Sequence, residues 1–217
     1  MELKKSSSYL QASHKILGVD DGTVLPSIEN RLKILHEIRS FKSDLVFTHR
    51  PNDYHPDHRY TSKLVEDSAY MVMVPLVLPE TPPLKKNPIF LYFNDPFKKP
   101  LKFSHDIVVD ISSVLWDKAY ALDCHQSQMW EWMPWIDGKL EEIKKLENQD
   151  QKQKYLLNLY CEKTCSDNQK VEKIQHFYGQ NHNIPEYCES FEFCEYGVQL
   201  DSKDITFFFP MISKISE

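Results

Sequence analysis

Residues 44–59 read DLVFTHRPNDYHPDHR and decide how the rest of the chain is interpreted. The first part, 44–49, is short, apolar and rich in β-branched and aromatic residues, which is typical of a buried strand. The second part places His55 and His58 three residues apart, with Pro56 between them at the start of a helical pattern. In a strand-helix unit, functional side chains gather at the carboxyl end of the strand. The stretch is therefore either a polar turn or part of a metal site.

The segments around this stretch alternate between helical and extended patterns. Apolar residues recur at helical spacing after Pro26-Ser27 and again over 56–73, whereas 89–93 and 106–111 are continuous apolar runs that indicate strands. This alternation predicts an α/β fold, namely a Rossmann-like three-layer domain with a mostly parallel sheet and a helical C-terminal extension. A chain of 217 residues is expected to form a single domain over 1–217.

Composition excludes several classes of protein. The chain has 26 lysines and arginines against 32 aspartates and glutamates and no long basic block, so we expect no nucleic-acid partner. It has no run of 18 apolar residues and no apolar segment after the first methionine, so neither a membrane span nor a signal peptide is predicted. Five cysteines form no C-x-x-C pair, which favours reduced thiols in a cytoplasmic protein over a disulfide framework.

The spacing within the histidine-rich stretch indicates specific chemistry. If Pro56 begins a helix, His55 is the residue that caps it, and His58 lies one turn further on the same face. Imidazole is the side chain that most often binds metals, and a helix N-terminus favours an anion or a developing oxyanion. Asp57 is close enough to hydrogen-bond a neighbouring imidazole and fix its tautomer. One histidine could thus hold a metal while the other acts as an acid or electrostatic stabiliser.

The sequence of residues 44–70, DLVFTHRPNDYHPDHRYTSKLVEDSAY, closely resembles the second signature of the LmbE/PIG-L family of zinc-dependent de-N-acetylases. The resemblance extends to the preceding segment, to VVDISSVLWDKAYALDCHQSQ at 108–128 and to ESFEFCEYG at 189–197. It therefore covers about residues 8–210. It implies a Rossmann-like zinc hydrolase that removes the acetyl group from an N-acetylglucosamine-type sugar conjugate.

The resemblance also implies a role for each matching residue. His58 matches the histidine that ligates zinc, and His55 matches the one that stabilises the tetrahedral intermediate or protonates the leaving amine. Asp57 matches the carboxylate that orients this second histidine. Arg50 and Asp53 occupy the loop that lines the substrate pocket.

His125 matches the later H-x-S-Q segment and is counted with the substrate-binding residues, in a supporting or packing position near the edge of the sheet. The family's first signature, A-H-P-D-D-E, is absent from the sequence. In the family it supplies two zinc ligands and the general base. The pair Asp20-Asp21 lacks the preceding His-Pro and is rejected as a substitute.

The missing signature leads to a further expectation. The opening β-α-β portion of the fold is predicted to be absent, through truncation or degeneration, which leaves the zinc site incomplete and this chain inactive by itself. The alternative function is a non-catalytic protein that binds sugar or acts as a scaffold on the same fold. A nucleotide-binding Rossmann protein is disfavoured because the chain has no G-x-G-x-x-G.

One aromatic-rich segment remains outside these roles. Four tryptophans lie within 116–135, and they are interpreted as packing core or as a contact in a homo-oligomer rather than as a sugar-stacking surface.

Overall fold

The computed structural model describes residues 1–212, which divide into two compact units. The first unit comprises 1–16, 110–166 and 185–189; the second comprises 17–109, 167–184 and the described residues from 190 onward. Each unit is assembled from separate segments of the sequence. The single domain expected over 1–217 stays a prediction.

The helices and strands follow the pattern of the sequence closely. The helices are α1 Glu2–Tyr9, α2 Ile28–Phe41, α3 Pro56–Met71, α4 Leu115–Asp123, α5 Met133–Ile136, α6 Leu140–Ile143, α7 Gln149–Tyr160, α8 Asn168–Tyr178 and α9 Ser202–Phe208. The strands are β1 Leu45–Thr48, β2 Ile89–Phe93, β3 Ile107–Asp110, β4 Glu162–Lys163 and β5 Tyr187–Phe193. The strands predicted in 44–49, 89–93 and 106–111 and the helices predicted after Pro26-Ser27 and over 56–73 are confirmed.

The sheet of the second unit is mixed in direction. Strands β1 and β2 are parallel, with Leu45 opposite Ile89 and Thr48 opposite Tyr92, and α3 lies between them in the sequence. Strand β5 lies between β2 and β3 and is antiparallel to β2, with Leu91 opposite Phe193. The sheet therefore contains at least one strand that runs opposite to its neighbours, and a mostly parallel direction for the sheet as a whole stays a prediction. A continuous apolar run reveals burial on both faces but not the direction of the strand, and β5 enters the sheet in the opposite direction.

The α/β class is confirmed, whereas the three-layer Rossmann-like arrangement and the missing β-α-β portion stay predictions. Helices α2 and α3 pack together, and their apolar faces form one core with β2. The buried members of this core are Leu35, Ile38, Val65, Ala69, Val72, Phe90, Tyr92 and Cys194. The core fixes α3 against the sheet, and so fixes the loop that joins β1 to α3.

Local chemistry explains where these helices begin. The hydroxyl of Ser27 accepts a hydrogen bond from the backbone N–H of Asn30 and caps α2. The ring of His55 accepts from the backbone N–H of Asp57 and caps α3, with Pro56 in its first turn. Both caps match the sequence pattern, and the second places two histidines at the start of one helix.

Close packing also explains the glycine of the E-Y-G segment. A side chain at Gly197 would place its Cβ 2.8 Å from the backbone N of Phe90 and from the carbonyl O of Pro88. Only glycine fits at this point, where the chain after β5 crosses the start of β2.

The first unit is mainly helical. Helix α4 packs against α1 and α7, and β4 pairs antiparallel with the beginning of β5. The carboxylate of Glu2 accepts hydrogen bonds from the backbone N–H and hydroxyl of Ser127, at 2.8 and 2.7 Å. None of the helices in 1–212 combines the length and the apolar character that crossing a membrane requires.

Candidate metal centre

The candidate site lies in the turn between β1 and α3, within the second unit. His49 directly follows β1, His55 caps α3, and His58 is in the first turn of the helix. The carboxyl end of a strand and the N-terminus of a helix thus converge within ten residues. This is the position at which the sequence pattern predicts functional side chains.

Asp53 organises this turn. One oxygen of its carboxylate, Oδ1, accepts a hydrogen bond from the backbone N–H of His55 at 2.9 Å and lies 3.0 Å from Nδ1 of His58. Arg59 donates to the backbone carbonyls of Asp53 and Tyr54 at 2.8 and 2.7 Å. Because the carboxylate binds Nδ1 of a neutral His58, the unprotonated nitrogen of that ring is Nε2.

His49 and His58 face each other. Their rings are parallel within 2°, and the ring centroids are 4.2 Å apart. Burial lowers the pKa of His49, and the neighbouring His58 lowers that pKa further, so both effects favour the neutral imidazole that binds metals. The ligand atoms of His49, Asp53 and His58 all lie within 4.8 Å of one another.

The donor set fits zinc. Zinc binds imidazole nitrogen and carboxylate oxygen, and its catalytic sites commonly keep three protein ligands and one open position. A second carboxylate, that of Asp95, also acts on the site. The buried Oδ2 atom of Asp95 has no hydrogen-bond partner in the described part of the chain, and Asp95 acts with Asp53 to raise the pKa of His49. This charge would favour a bound cation.

His55 and Asp57 are in contact through the ring of one and the backbone of the other, and a role of the Asp57 carboxylate in orienting His55 stays a prediction. Nδ1 of His55 accepts from the backbone N–H of Asp57 at 3.2 Å, so a neutral His55 carries its proton on Nε2. The carboxylate of Asp57 accepts from the backbone N–H groups of Gly22 and Val24, at 2.6 and 3.2 Å. In the structure, Asp57 therefore contacts the ring of His55 through its backbone N–H and, through its side chain, holds the segment 22–24 that precedes α2.

Arg50 is a buried structural centre. Its guanidinium makes ion pairs with Asp95 at 3.3 Å and Glu192 at 3.1 Å, and it donates to the backbone carbonyls of Phe97 and Leu101. Only 3% of its side chain is exposed. Burial raises the pKa of Glu192, and the Arg50 charge opposes that rise. Contact of Arg50 with a substrate stays a prediction.

His125 belongs to the first unit, unlike the other predicted site residues. Its Nε2 lies 2.9 Å from the hydroxyl of Ser6, which ties the H-x-S-Q segment to α1. Its assignment to the substrate site stays a prediction. Sequence reasoning gave no role to His49, although its place directly after an apolar strand was the available signal.

Comparisons with known proteins show a family match that includes this turn. The family model for PIG-L, GlcNAc-PI de-N-acetylase, matches residues 1–69, which include the whole β1–α3 turn. The resemblance noted at 108–128 and 189–197 lies outside this match.

Three solved structures have a similar fold. The conserved protein TT1542 from Thermus thermophilus is 17% identical with a TM-score of 0.55, covering 92% of this chain and 74% of its own. The N,N'-diacetylchitobiose deacetylase of Pyrococcus horikoshii is 20% identical with a TM-score of 0.58, covering 90% of this chain and 62% of its own. The 4-carboxy-2-hydroxymuconate hydratase GalB of Pseudomonas putida is 16% identical with a TM-score of 0.60, covering 92% of this chain and 72% of its own.

At these identities, the structural likeness establishes the fold and not the reaction, and the proteins that share it include a deacetylase and a hydratase. Support for the family comes from the sequence of the β1–α3 region. The PIG-L resemblance predicted from the sequence is confirmed, and residues 1–69 are the part of the chain that the family model covers.

Proposed function

We propose that the protein is a zinc-dependent de-N-acetylase that acts on an N-acetylglucosamine-type sugar conjugate. The observation that carries the proposal is the convergence of His55 and His58 at the N-terminus of α3, inside the segment that matches the PIG-L family. The similar fold of a diacetylchitobiose deacetylase supports an acetylated sugar as the class of substrate.

His58 would hold the metal. The carboxylate of Asp53 lies 3.0 Å from Nδ1 of its ring. When bound, zinc lowers the pKa of a water molecule and polarises the acetyl carbonyl. Asp53 fixes the orientation of the His58 ring, which keeps the ring nitrogens in one position.

His55 would act on the developing charge. Its Nδ1 is engaged by the N-terminus of α3, so Nε2–H is the group that can donate a hydrogen bond. Such a donor would stabilise the oxyanion of the tetrahedral intermediate or transfer a proton to the leaving amine. The backbone N–H groups of the helix N-terminus would add to this stabilisation.

The proposal includes the expectation that these 217 residues do not turn over substrate by themselves. The sequence has no A-H-P-D-D-E, which in the family supplies the general base. The same proposal includes a Rossmann-like three-layer arrangement, a cytoplasmic location and a homo-oligomer. None of the five cysteines forms a disulfide within residues 1–212, which is consistent with a cytoplasmic location.

The test begins with the DNA upstream of the codon for Met1, where an in-frame A-H-P-D-D would supply the missing groups. In a protein that contains this motif, His58→Ala should abolish tight zinc binding, whereas His55→Ala should retain the metal and lose release of acetate. Full activity in both variants would contradict the mechanism. Zinc-dependent deacetylation by the 217-residue chain alone would contradict the expectation that it is inactive.

The absent signature also favours one alternative, a non-catalytic protein that binds sugar or acts as a scaffold. Affinity for an N-acetylglucosamine conjugate in the presence of a chelator, without hydrolysis, would support the alternative. Loss of that affinity on removal of zinc would support the hydrolase.

A further inference from the structure

We infer that residues 49–58 form a three-ligand site for one divalent metal ion, in which His49 and Asp53 bind the metal together with His58. The resemblance to the family implies that the other ligands come from A-H-P-D-D-E. The structure instead brings two more ligating side chains to His58 from within ten residues. This inference rests on the proposed function only for the choice of zinc as the metal.

The distances are close to those of a metal site. The separation between Oδ1 of Asp53 and Nδ1 of His58 is 3.0 Å. Two ligands of a tetrahedral zinc ion with bonds of about 2.0–2.1 Å are separated by about 3.3–3.4 Å. The pair therefore needs to open by only a few tenths of an ångström for a cation to replace the proton between them. In this three-ligand arrangement Nδ1 of His58, rather than Nε2, is the coordinating nitrogen.

His49 supplies the third ligand. Its ring stacks on His58 with a centroid separation of 4.2 Å, and the candidate ligand atoms of the three residues are within 4.8 Å of one another. Strand β1 and the capped start of α3 hold the two imidazoles from opposite sides of the turn. Because the lone pair of an imidazole nitrogen lies in the plane of its ring, coordination requires the two rings to tilt out of their parallel stacking until the lone pairs converge on the ion.

A separate observation supports a cation at this position. The Oδ2 atom of Asp95 is buried, and although Oδ1 accepts from Arg50 and from the backbone of Phe97, Oδ2 has no partner among residues 1–212. A buried carboxylate oxygen without a partner is costly. Its negative field acts on His49, so a divalent ion bound to His49 would offset that cost.

The test is a metal titration of the chelator-treated 217-residue protein. Cobalt is added first, because its visible absorption reports a tetrahedral site, and zinc is then used in competition. We expect one ion per chain, and we expect His49→Gln, Asp53→Asn and His58→Ala each to weaken binding by at least about tenfold. His176→Gln, a histidine removal on α8, should bind like the unaltered protein.

X-ray absorption of the zinc-loaded, unaltered protein tests the inference without any variant that might fold poorly. Two imidazole ligands are expected. A count of one, or a His49→Gln variant that binds as tightly as His176→Gln, would overturn the inference. In a protein that also contains A-H-P-D-D, tight metal binding without deacetylation would leave the inference intact and contradict the proposed function. Deacetylation by that protein, with metal binding unchanged in its His49→Gln variant, would support the proposed function and overturn the inference.

Discussion

The histidine-rich turn, residues 49–59, and the tryptophan-rich segment, residues 127–136, are both short and both rich in aromatic and polar side chains. They differ in what their polar groups bind. In the turn, Asp53, His55, His58 and Arg59 are all joined by hydrogen bonds within the same short stretch. This network fixes the side chains before any ligand arrives, as a functional site requires.

The tryptophan-rich segment has no such network among its described hydrogen bonds. Trp130 donates to Asp123 at 2.8 Å, but the stacked pair Trp132 and Trp135 is 50% and 61% exposed. The interpretation of this pair as packing core is therefore wrong, because a core side chain is removed from water. The contact in a homo-oligomer remains as a prediction. The comparison shows that side-chain type alone does not distinguish a preorganised site from an exposed surface.

The largest expected effect is on stability and separates the two regions directly. Arg50→Met keeps much of the side-chain volume but leaves Asp95 and Glu192 without their buried counter-charge. We expect it to lower the free energy of unfolding by about 3–5 kcal/mol. Trp135→Ser should lower it by less than about 1 kcal/mol, since this side chain is largely exposed.

Urea denaturation of both variants measures this difference. Equal losses in the free energy of unfolding would contradict the expectation that the buried charge of Arg50 stabilises the turn more than the exposed ring of Trp135 stabilises its segment.

An intermediate effect is expected for Asp57→Ala. The substitution removes two hydrogen bonds between a charged carboxylate and the backbone of Gly22 and Val24, and should cost about 1–3 kcal/mol. Metal affinity should stay within about twofold of that of the unaltered protein. Among the described hydrogen bonds, the Asp57 carboxylate makes none to a ring nitrogen of His55 or of His58.

Asp67→Ala is the matched control for Asp57→Ala on the same helix. Its ion pairs with Lys63 and Arg31 are partly exposed, so its loss should cost less than about 1 kcal/mol. Turnover is measured in a protein that also contains A-H-P-D-D-E. If Asp57→Ala is as stable as this control but abolishes turnover there, the Asp57 side chain acts on His55 as the family resemblance implies.

The smallest effect on stability is expected in the tryptophan-rich segment, where association is the informative measurement. If Trp132 and Trp135 form the contact of a homo-oligomer, replacing both with serine should shift the protein toward monomer at low concentration. Sedimentation at several concentrations would show this shift. Trp116→Ser, at a tryptophan 48% exposed on α4, should leave association unchanged. Identical sedimentation profiles for the unaltered protein, the Trp132 and Trp135 double variant and Trp116→Ser would exclude Trp132 and Trp135 from the contact.

Much of the fold could be predicted because its signals are local. The caps at Ser27 and His55 depend on neighbouring residues, and the buried strands are short apolar runs with clear boundaries. The direction of β5 could not be predicted, because a buried strand is apolar whether its neighbours are parallel or antiparallel. Strand direction depends on the path of the chain and not on the residues of the strand.

The site was predictable to a similar degree. Spacing placed His55 and His58 at the start of α3. The partners of Asp57 and Arg50 come from distant parts of the sequence, at 22–24 and at 95 and 192, and no local pattern indicates them. The stacking of His49 on His58 depends likewise on the geometry of the turn.

The central claim is that residues 49–58 form a metal centre. The most direct measurement is anomalous diffraction at the zinc absorption edge from crystals of the protein grown with zinc. We expect a peak at about 2.0–2.2 Å from a ring nitrogen of His49, a ring nitrogen of His58 and a carboxylate oxygen of Asp53. A peak bound to His58 without His49, or no peak in this turn, would contradict this claim.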